Sequence, residues 1–581
     1  MSYDTEKVKI GREPFTIIGM VMDYCSLTAG VGACTATETG DNKCFNTRAT
    51  CNDTANYDKT TKEYKFCQPR SSMPKGEAMF PVIDGKVMKA GTSTTGGTGL
   101  GKRAVLRVKL SDFPHHDRDI DPYISERTYT ALDRGTFWGK FLVRNPYYEG
   151  RTLKVYYGYI GDTFSFNDFE IQEYDIVDIK GVNNGAVEIT AKDVLVRTYD
   201  RKSQYPSVST GSLLANIAAG ATSATLTPTG IGNSEYPASG TLSIGKEAMT
   251  FTRSADVLTL TRAQWGTEDK EHKAGDTVQI CAAWDGTDNV IDVLDELLVT
   301  GAGLPSAYIP TADWTTEKDL WLSAANVKGV LMKPESIEKV IAELSEVFMF
   351  DIWWNETTQT VDIKALSPEP SGATINTLSE SNSIIQGSLK IDRKSKDRYT
   401  EIRVYYDKSD FSDDDKEDNF SAIQISTDIS RSGSDRYDGN SIKTVKSRWF
   451  DAGANAAQLA GRLLARFSDT PETVTFMIDN KDHGKLEMAG RVELDSWQFQ
   501  DFTGANEARK FQVIEINEGN EAGHEIKIKC LTSSFSGRYA FIAPDGTANY
   551  SSATESEKGS YSFVCLSTGL FADGSEGYKI I

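Results

Sequence analysis

The chain has 581 residues, room for about four domains of ordinary size. Its 83 acidic residues against 63 basic ones leave a net charge of −20, which argues against sequence-independent binding of phosphate backbones, because that needs a cationic face. The longest apolar run near the N-terminus, Phe15 to Met22, is too short for a bilayer span and has no small-residue cleavage site behind it, so the reading expects a soluble chain without a secretion address.

Forty-eight glycines against seventeen prolines, with many short alternating runs of Thr, Val, Ile and Tyr, predict a β-rich chain punctuated by tight turns. Residues 1–102 are poor in periodic pattern and rich in Thr, Gly, Asn and Asp, a loop-like composition organised around cysteines rather than an apolar core. Alternation begins at Ala104–Leu110, returns at Arg151–Tyr157, and predicts a hairpin from Asp175–Lys180 through Gly181–Gly185 into Ala186–Thr190; these define a β domain over 103–206. Residues 207–284 predict a small β insertion, with Gly240–Gly245 and Glu247–Thr252 as strands. Two amphipathic helices follow, Asp288–Thr300 and Pro334–Phe348, the second feeding a hairpin of Phe350–Trp354 and Thr360–Lys364, so 285–382 is expected to be α+β. Strands at Ser388–Ile391, Thr400–Tyr406, Thr473–Ile478 and Phe511–Ile516 surround a helix at Ala454–Phe467 that Asp469-Thr470-Pro471 stops, a second β-rich domain over 383–536. Residues 537–581 carry a loose repeat, Tyr539–Ile542 and Tyr561–Val564, expected to dock on a neighbour.

Five of the eight cysteines fall in one short window: Cys25, Cys34, Cys44, Cys51 and Cys67. Disulfides are disfavoured in a reducing compartment and by the odd number. Structural zinc prefers cysteine pairs two to four residues apart, and the spacings here are eight and six. A cuboidal iron–sulfur cluster takes thiolates from wider, irregular loops. All three remain open on spacing alone.

Cys25-Ser26-Leu27-Thr28 with a cysteine eight residues on, then Lys43-Cys44 with a cysteine six residues on, resembles the cysteine-rich segment of lambda-type tail-tip proteins and of the hub of related gene transfer agents. The resemblance implies a 4Fe-4S cluster on Cys25, Cys34, Cys44 and Cys51, with Cys67 as an alternative ligand and zinc as an alternative metal. Arg134–Lys140, Arg144–Tyr148 with Gly150-Arg151, and Ala191–Leu195 resemble a segment of hub proteins of long-tailed, siphovirus-like phages. Gly245–Ala248 through Leu260–Ala263, Gly266-Thr267 and His272–Gly275 resemble a small β module of baseplate proteins.

The resemblance implies a mainly β chain with some α+β, a multidomain tail-hub architecture with barrel- or sandwich-like hub domains. It further implies a homotrimer at the distal end of the tail, closing the tail tube and touching the distal tail, tape-measure and central fibre or spike proteins. Duplex DNA would pass the lumen without stable binding, which the acidity suits. The chain is expected to be no enzyme; an iron–sulfur oxidoreductase and a host-surface glycan-binding or glycan-degrading tail protein are the alternatives. Several motifs are set aside. Gly96–Lys102 mimics a phosphate loop but runs into a strand pattern. His115–Asp119 reads as a solvated turn, and Asp413–Asp418 lacks the glycine and glutamate of a calcium loop. Trp353-Trp354 reads as core, and Phe137, Trp138, Tyr147 and Tyr148 as core or interface.

Overall fold

A computed structural model describes residues 3–9, 11–68, 79–80, 88–90, 92–93, 105–160, 165–195, 203–355, 358–366, 375–428, 441–517, 525–532, 548–554, 557–558, 563–564 and 578–579. The apolar run Phe15–Met22 is the middle of β1 (Glu13–Cys25). It pairs antiparallel with β2 (Lys59–Cys67), whose far end meets β3 (Met79–Phe80). Further along lie β4 (Met88–Ala90), β5 (Thr92–Ser93), β6 (Val105–Ser111), β7 (Thr152–Ile160), β8 (Glu170–Asn183) and β9 (Ala186–Lys192). Among the described residues, eight of these form one sheet in the order β3-β2-β1-β7-β8-β9-β6-β4.

Alternation along β1 sends Ile18, Met20 and Met22 into one core with Phe66, Leu106, Val108, Phe137, Trp138 and Tyr174, while Phe15 and Ile17 pack on the other face with Cys67, Tyr156 and Phe169. Burial on both faces explains why the run is continuous rather than alternating. Gly19 sits on the second face where a Cβ would strike the Glu63 carboxylate and the Tyr156 ring, which are joined by a Tyr156 hydroxyl to Glu63 hydrogen bond of 2.6 Å. Strands from both sides of residues 102–103 therefore share one sheet. The N-terminal segment is built on an apolar core, contrary to its loop-like composition, and the cysteines lie at one edge of that core.

The predicted β8–β9 hairpin is present, turning over Asn184 and Gly185, both at positive φ. The insertion forms a seven-stranded sheet with its own core of Leu213, Leu226, Leu242, Ile244, Met249, Phe251, Leu258 and Val278, and it recruits Asn326–Leu331 from beyond residue 284. Gly266, at positive φ, lies so close to the Ser409 carbonyl that no side chain could replace it, and Trp265 meets Phe411 edge to face.

The first expected helix after the insertion is shorter, Val290–Asp295 running into a wider π turn over Glu296–Gly301, because the preceding strand persists to Asn289, whose side chain caps the helix. The second starts at Ile337 rather than Pro334, since Glu335-Ser336 are drawn into a short pairing with Gln204-Tyr205. It packs Ile337, Val340, Ile341 and Leu344 against the Gly453–Phe467 helix and the Phe350–Asn355/Thr360–Ala365 hairpin, with Trp354 in the same core. A three-stranded sheet of Glu401–Lys408, Phe420–Thr427 and Ile442–Lys446 covers that helix, and a last sheet contains Glu472–Asp479, Arg491–Asp495, Arg509–Asn517 and Glu525–Thr532. β5 adds to this last sheet beside Arg509–Asn517, and Arg12 makes a two-pronged bond to Asp479 at 2.9 Å. The architecture is mostly β, with several curled sheets and multiple cores. The C-terminal repeat lies outside the described residues except for Phe563-Val564.

Candidate metal centre

β1 ends at Cys25, and the ladder with β2 runs out there at Lys59. Beyond this end the chain makes two excursions, residues 26–43 and 44–58, and both return to the strand tip. Gly30 and Gly32 at positive φ turn the first loop so that Cys34 follows. A short turn over Arg48–Thr50 sets Cys51 midway along the second. The result is that Cys25, Cys34, Cys44 and Cys51 line one narrow, mostly enclosed cavity together with Leu27, Asn46 and Tyr57. Cys25 and Cys44 are buried, while Cys34 and Cys51 are half-exposed.

The thiols sense one another. Burial pushes the Cys44 thiol up, Cys51, Cys34 and Cys25 push it the same way, and a backbone N–H from Asn46 opposes them. Burial also raises Cys51, with Cys25 and Cys34 adding to it. Four thiols gathered around one cavity, with Cys44 and Cys51 held back from ionising, are a donor set that a cation completes by taking them as thiolates and releasing their protons. None of the seven described cysteines is disulfide-bonded. Among the described residues no three His, Cys, Asp or Glu side chains converge on a single-ion point; the four thiols surround a space instead. The donor chemistry fits a group bound by four cysteines.

Asn46, buried and at φ 55°, is the hub of the wall. Its carbonyl accepts from the Cys25 N–H at 2.8 Å, and its side-chain amide donates to the carbonyls of Cys25 and Leu27 at 3.2 and 3.1 Å. Asp53 closes the outer rim, accepting from Thr35 N and Oγ1 at 2.7 and 2.8 Å and from Asn56; these bonds hold its carboxyl down to about 2.

Cys67 is placed elsewhere. It pairs with Ile17 at the opposite end of the β1–β2 hairpin, about 26 Å along the strand from Cys25 at some 3.3 Å per residue. There burial alone pushes its thiol up to about 11. The structure thus brings together four of the five cysteines in the window.

The His115–Asp119 stretch is not a solvated turn. His115 and Asp117 are buried while His116, Arg118 and Asp119 are exposed, and Asp117, at φ 62°, opens a turn whose N–H groups from Ile120 and Asp121 return to its carbonyl. The Asp117 carboxylate, fully buried, is met by Lys140 at 2.6 Å and Arg144 at 2.8 Å from the Phe137–Arg144 helix. Burial pushes this carboxyl up, but the bonds from His115, Lys140 and Arg144 outweigh it and hold it at about 2. Arg144 in turn lies 3.9 Å over the Phe45 ring, next to Cys44. Sequence reasoning missed Asn46, Asp117, Tyr123 and Arg127; no motif or spacing marks them, because each acts through a fold contact 20 or more residues away.

Of the other stretches weighed, Asp413–Asp418 is exposed, Trp353 and Trp354 are core, and Phe137 and Trp138 are core, whereas Tyr147 is 61% exposed. Gly96–Lys102 lies outside the described residues. No described helix is long and apolar enough to cross a membrane.

No family model matches the sequence, and no curated protein matches it. Among solved structures the chain resembles the tail protein from Neisseria meningitidis MC58, at 10% identity over 78% of this chain and 95% of that one, with a TM-score of 0.37. It resembles the 43 kDa tail protein of prophage MuSo2 from Shewanella oneidensis at 9% identity over 77% and 95%, TM-score 0.36. A third similarity is to a chain of the native gene transfer agent virion, at 9% identity over 64% and 79%, TM-score 0.30.

Proposed function

We propose that the chain is a structural protein of a long-tailed phage, a baseplate hub or tail-tip component that closes the tail tube, and that Cys25, Cys34, Cys44 and Cys51 hold a 4Fe-4S cluster. The observation that carries this reading is the convergence of those four cysteines, from 27 residues of irregular loop, on one cavity at the tip of β1. The same four carry the resemblance to the lambda-type tail-tip segment. Cys25, Cys34, Cys44 and Cys51 would hold such a cluster as thiolates, and it would supply a cross-link between the strand tip and both excursions. The residues around it position the loops: Asn46 bridges the Cys25 and Cys44 segments, and Asp53 joins the Cys34 and Cys51 segments. No acid–base pair or nucleophile is part of this role.

In this reading the protein assembles as a homotrimer at the distal end of the virion, against distal tail, tape-measure and central fibre or spike proteins. Its acidity, −20 overall, disfavours adhesion of DNA moving through a lumen. The test is a count of iron, sulfide and zinc on protein purified without oxygen, beside its native mass. About four irons and four sulfides per chain, with a mass three times that of the chain, is the expected result. One zinc per chain overturns the cluster, and a monomer that binds glycan overturns the hub.

A further inference from the structure

The loops that carry the thiols are fixed by a stretch far along the chain, residues 121–128. Arg127 is the densest contact. Its Nε and Nη2 donate to the two carboxylate oxygens of Asp121 at 2.8 and 3.1 Å, its Nη1 donates to the carbonyls of Gly40 and Lys43, both at 2.8 Å, and its Nη2 donates to the carbonyl of Cys44 at 3.0 Å. A guanidinium has five N–H groups, and all five are used. The same group lies 4.3 Å over the Phe45 ring. Tyr123 supplies the second tie: its hydroxyl accepts from the Ala29 N–H at 2.7 Å and donates to Asn46 Oδ1 at 2.9 Å. Outside these, Thr128 donates to Asp41, and Lys43 pairs with Glu126.

We propose that Arg127 and Tyr123 are positioning residues that preset the thiol cage before any metal arrives. Arg127 fixes the approach to Cys44, and Tyr123 fixes the exit from Cys25 through Ala29 and Asn46. Because Asp121 neutralises Arg127 at contact distance, the arginine acts by geometry rather than by its charge. Lysine cannot stand in for it, having three donors on a point charge and no planar fork. The cage is therefore part of the folded chain and not a product of metal binding, unlike small domains that fold only around their ion. The metal half of this inference rests on the four-thiolate reading; the preset cage rests on its own hydrogen bonds.

The test uses the full chain, wild type, R127K and Y123F, with two readouts. In the first, chelator-stripped protein is alkylated with iodoacetamide and each cysteine is followed by mass spectrometry. In wild type Cys34 and Cys51 react first and Cys25 and Cys44 slowly. In R127K the Cys44 rate rises about tenfold, and in Y123F the Cys25 and Cys44 rates rise by a comparable factor, as loss of local ties opens a segment without global unfolding. Cys67, Cys281 and Cys530, all buried in the sheets, stay protected; a merely structural role would expose them together with the cage. In the second readout, metal leaves the loaded variants for a chelator about 10- to 100-fold faster than from wild type. Unchanged cage alkylation in both variants overturns the inference whether or not metal binds. A wild-type chain that takes up no metal overturns the four-thiolate reading and leaves alkylation to decide the cage. If R127K exposes Cys530 by unfolding, Y123F, which loses a single hydroxyl, decides.

Discussion

The two ends of the β1–β2 hairpin each bear a cysteine, and they use it in opposite ways. At one end Cys67 lies among Phe15, Ile17, Tyr156 and Phe169 and behaves as a small apolar side chain. At the other, Cys25 stands where the ladder stops, and its neighbours are three more thiols, an amide and backbone carbonyls. Both thiols are buried, so burial does not separate them. What separates them is what adjoins the strand end: at Cys67 the paired sheet continues, whereas beyond Cys25 two loops return to the strand tip and bring three more thiols to it.

The largest expected effect is on metal. Cys25→Ser or Cys51→Ser should abolish bound metal, while Cys67→Ser should keep the full complement, measured as metal per chain after anaerobic purification; equal loss from Cys67→Ser would erase the contrast between the ends. Asp117→Asn comes next. It leaves Lys140 and Arg144 without their buried carboxylate, and we expect a loss of about 3–5 kcal/mol in denaturant unfolding. The pH dependence has a definite sign. The Asp117 carboxyl is held at about 2, below its ordinary 3.8, so its contribution is fully present above about pH 4 and lost as pH falls through 2. The gap between wild type and Asp117→Asn should therefore be flat from neutral pH down to about 4 and close toward 2. At the apolar end, Cys67→Ser places a hydroxyl among aromatic rings and should cost roughly 1–3 kcal/mol. The smallest effect is Lys43→Ala. Its partner Glu126 is half-exposed, and the pair should be worth less than about 1 kcal/mol, screened further by salt.

The sequence made the strands legible wherever periodicity was strong. Phe350–Trp354 with Thr360–Lys364, the β8–β9 hairpin and the Ala454–Phe467 helix sit where alternation or 3.6-residue spacing puts them. β1 was not legible as a strand, because a central strand buried on both faces loses its alternation and leaves only a short apolar run. The cysteine window was legible as a cluster of five, since cysteines so close in sequence need a chemical reason, and the resemblance to the tail-tip segment picked out the four that line the cavity. The absence of Cys67 from the cage was not: nine strand residues, Lys59 to Cys67, carry it to the far end of the hairpin, and only the register reveals that. Likewise His115–Asp119 reads as polar and hence solvated, yet the carboxylate it buries is matched by Lys140 and Arg144 from a helix two dozen residues on. Long-range pairing of this kind leaves no mark on local pattern.

Arg12 on Asp479 and the β5 strand beside Arg509–Asn517 fasten the sheet that bears the cage to the last sheet of the chain at two separate places. A mechanical load applied to the first sheet is therefore shared with the last before either is torn. These elements work as a braced frame rather than beads on a string, and stiffness along the chain comes from struts between residues more than 400 positions apart.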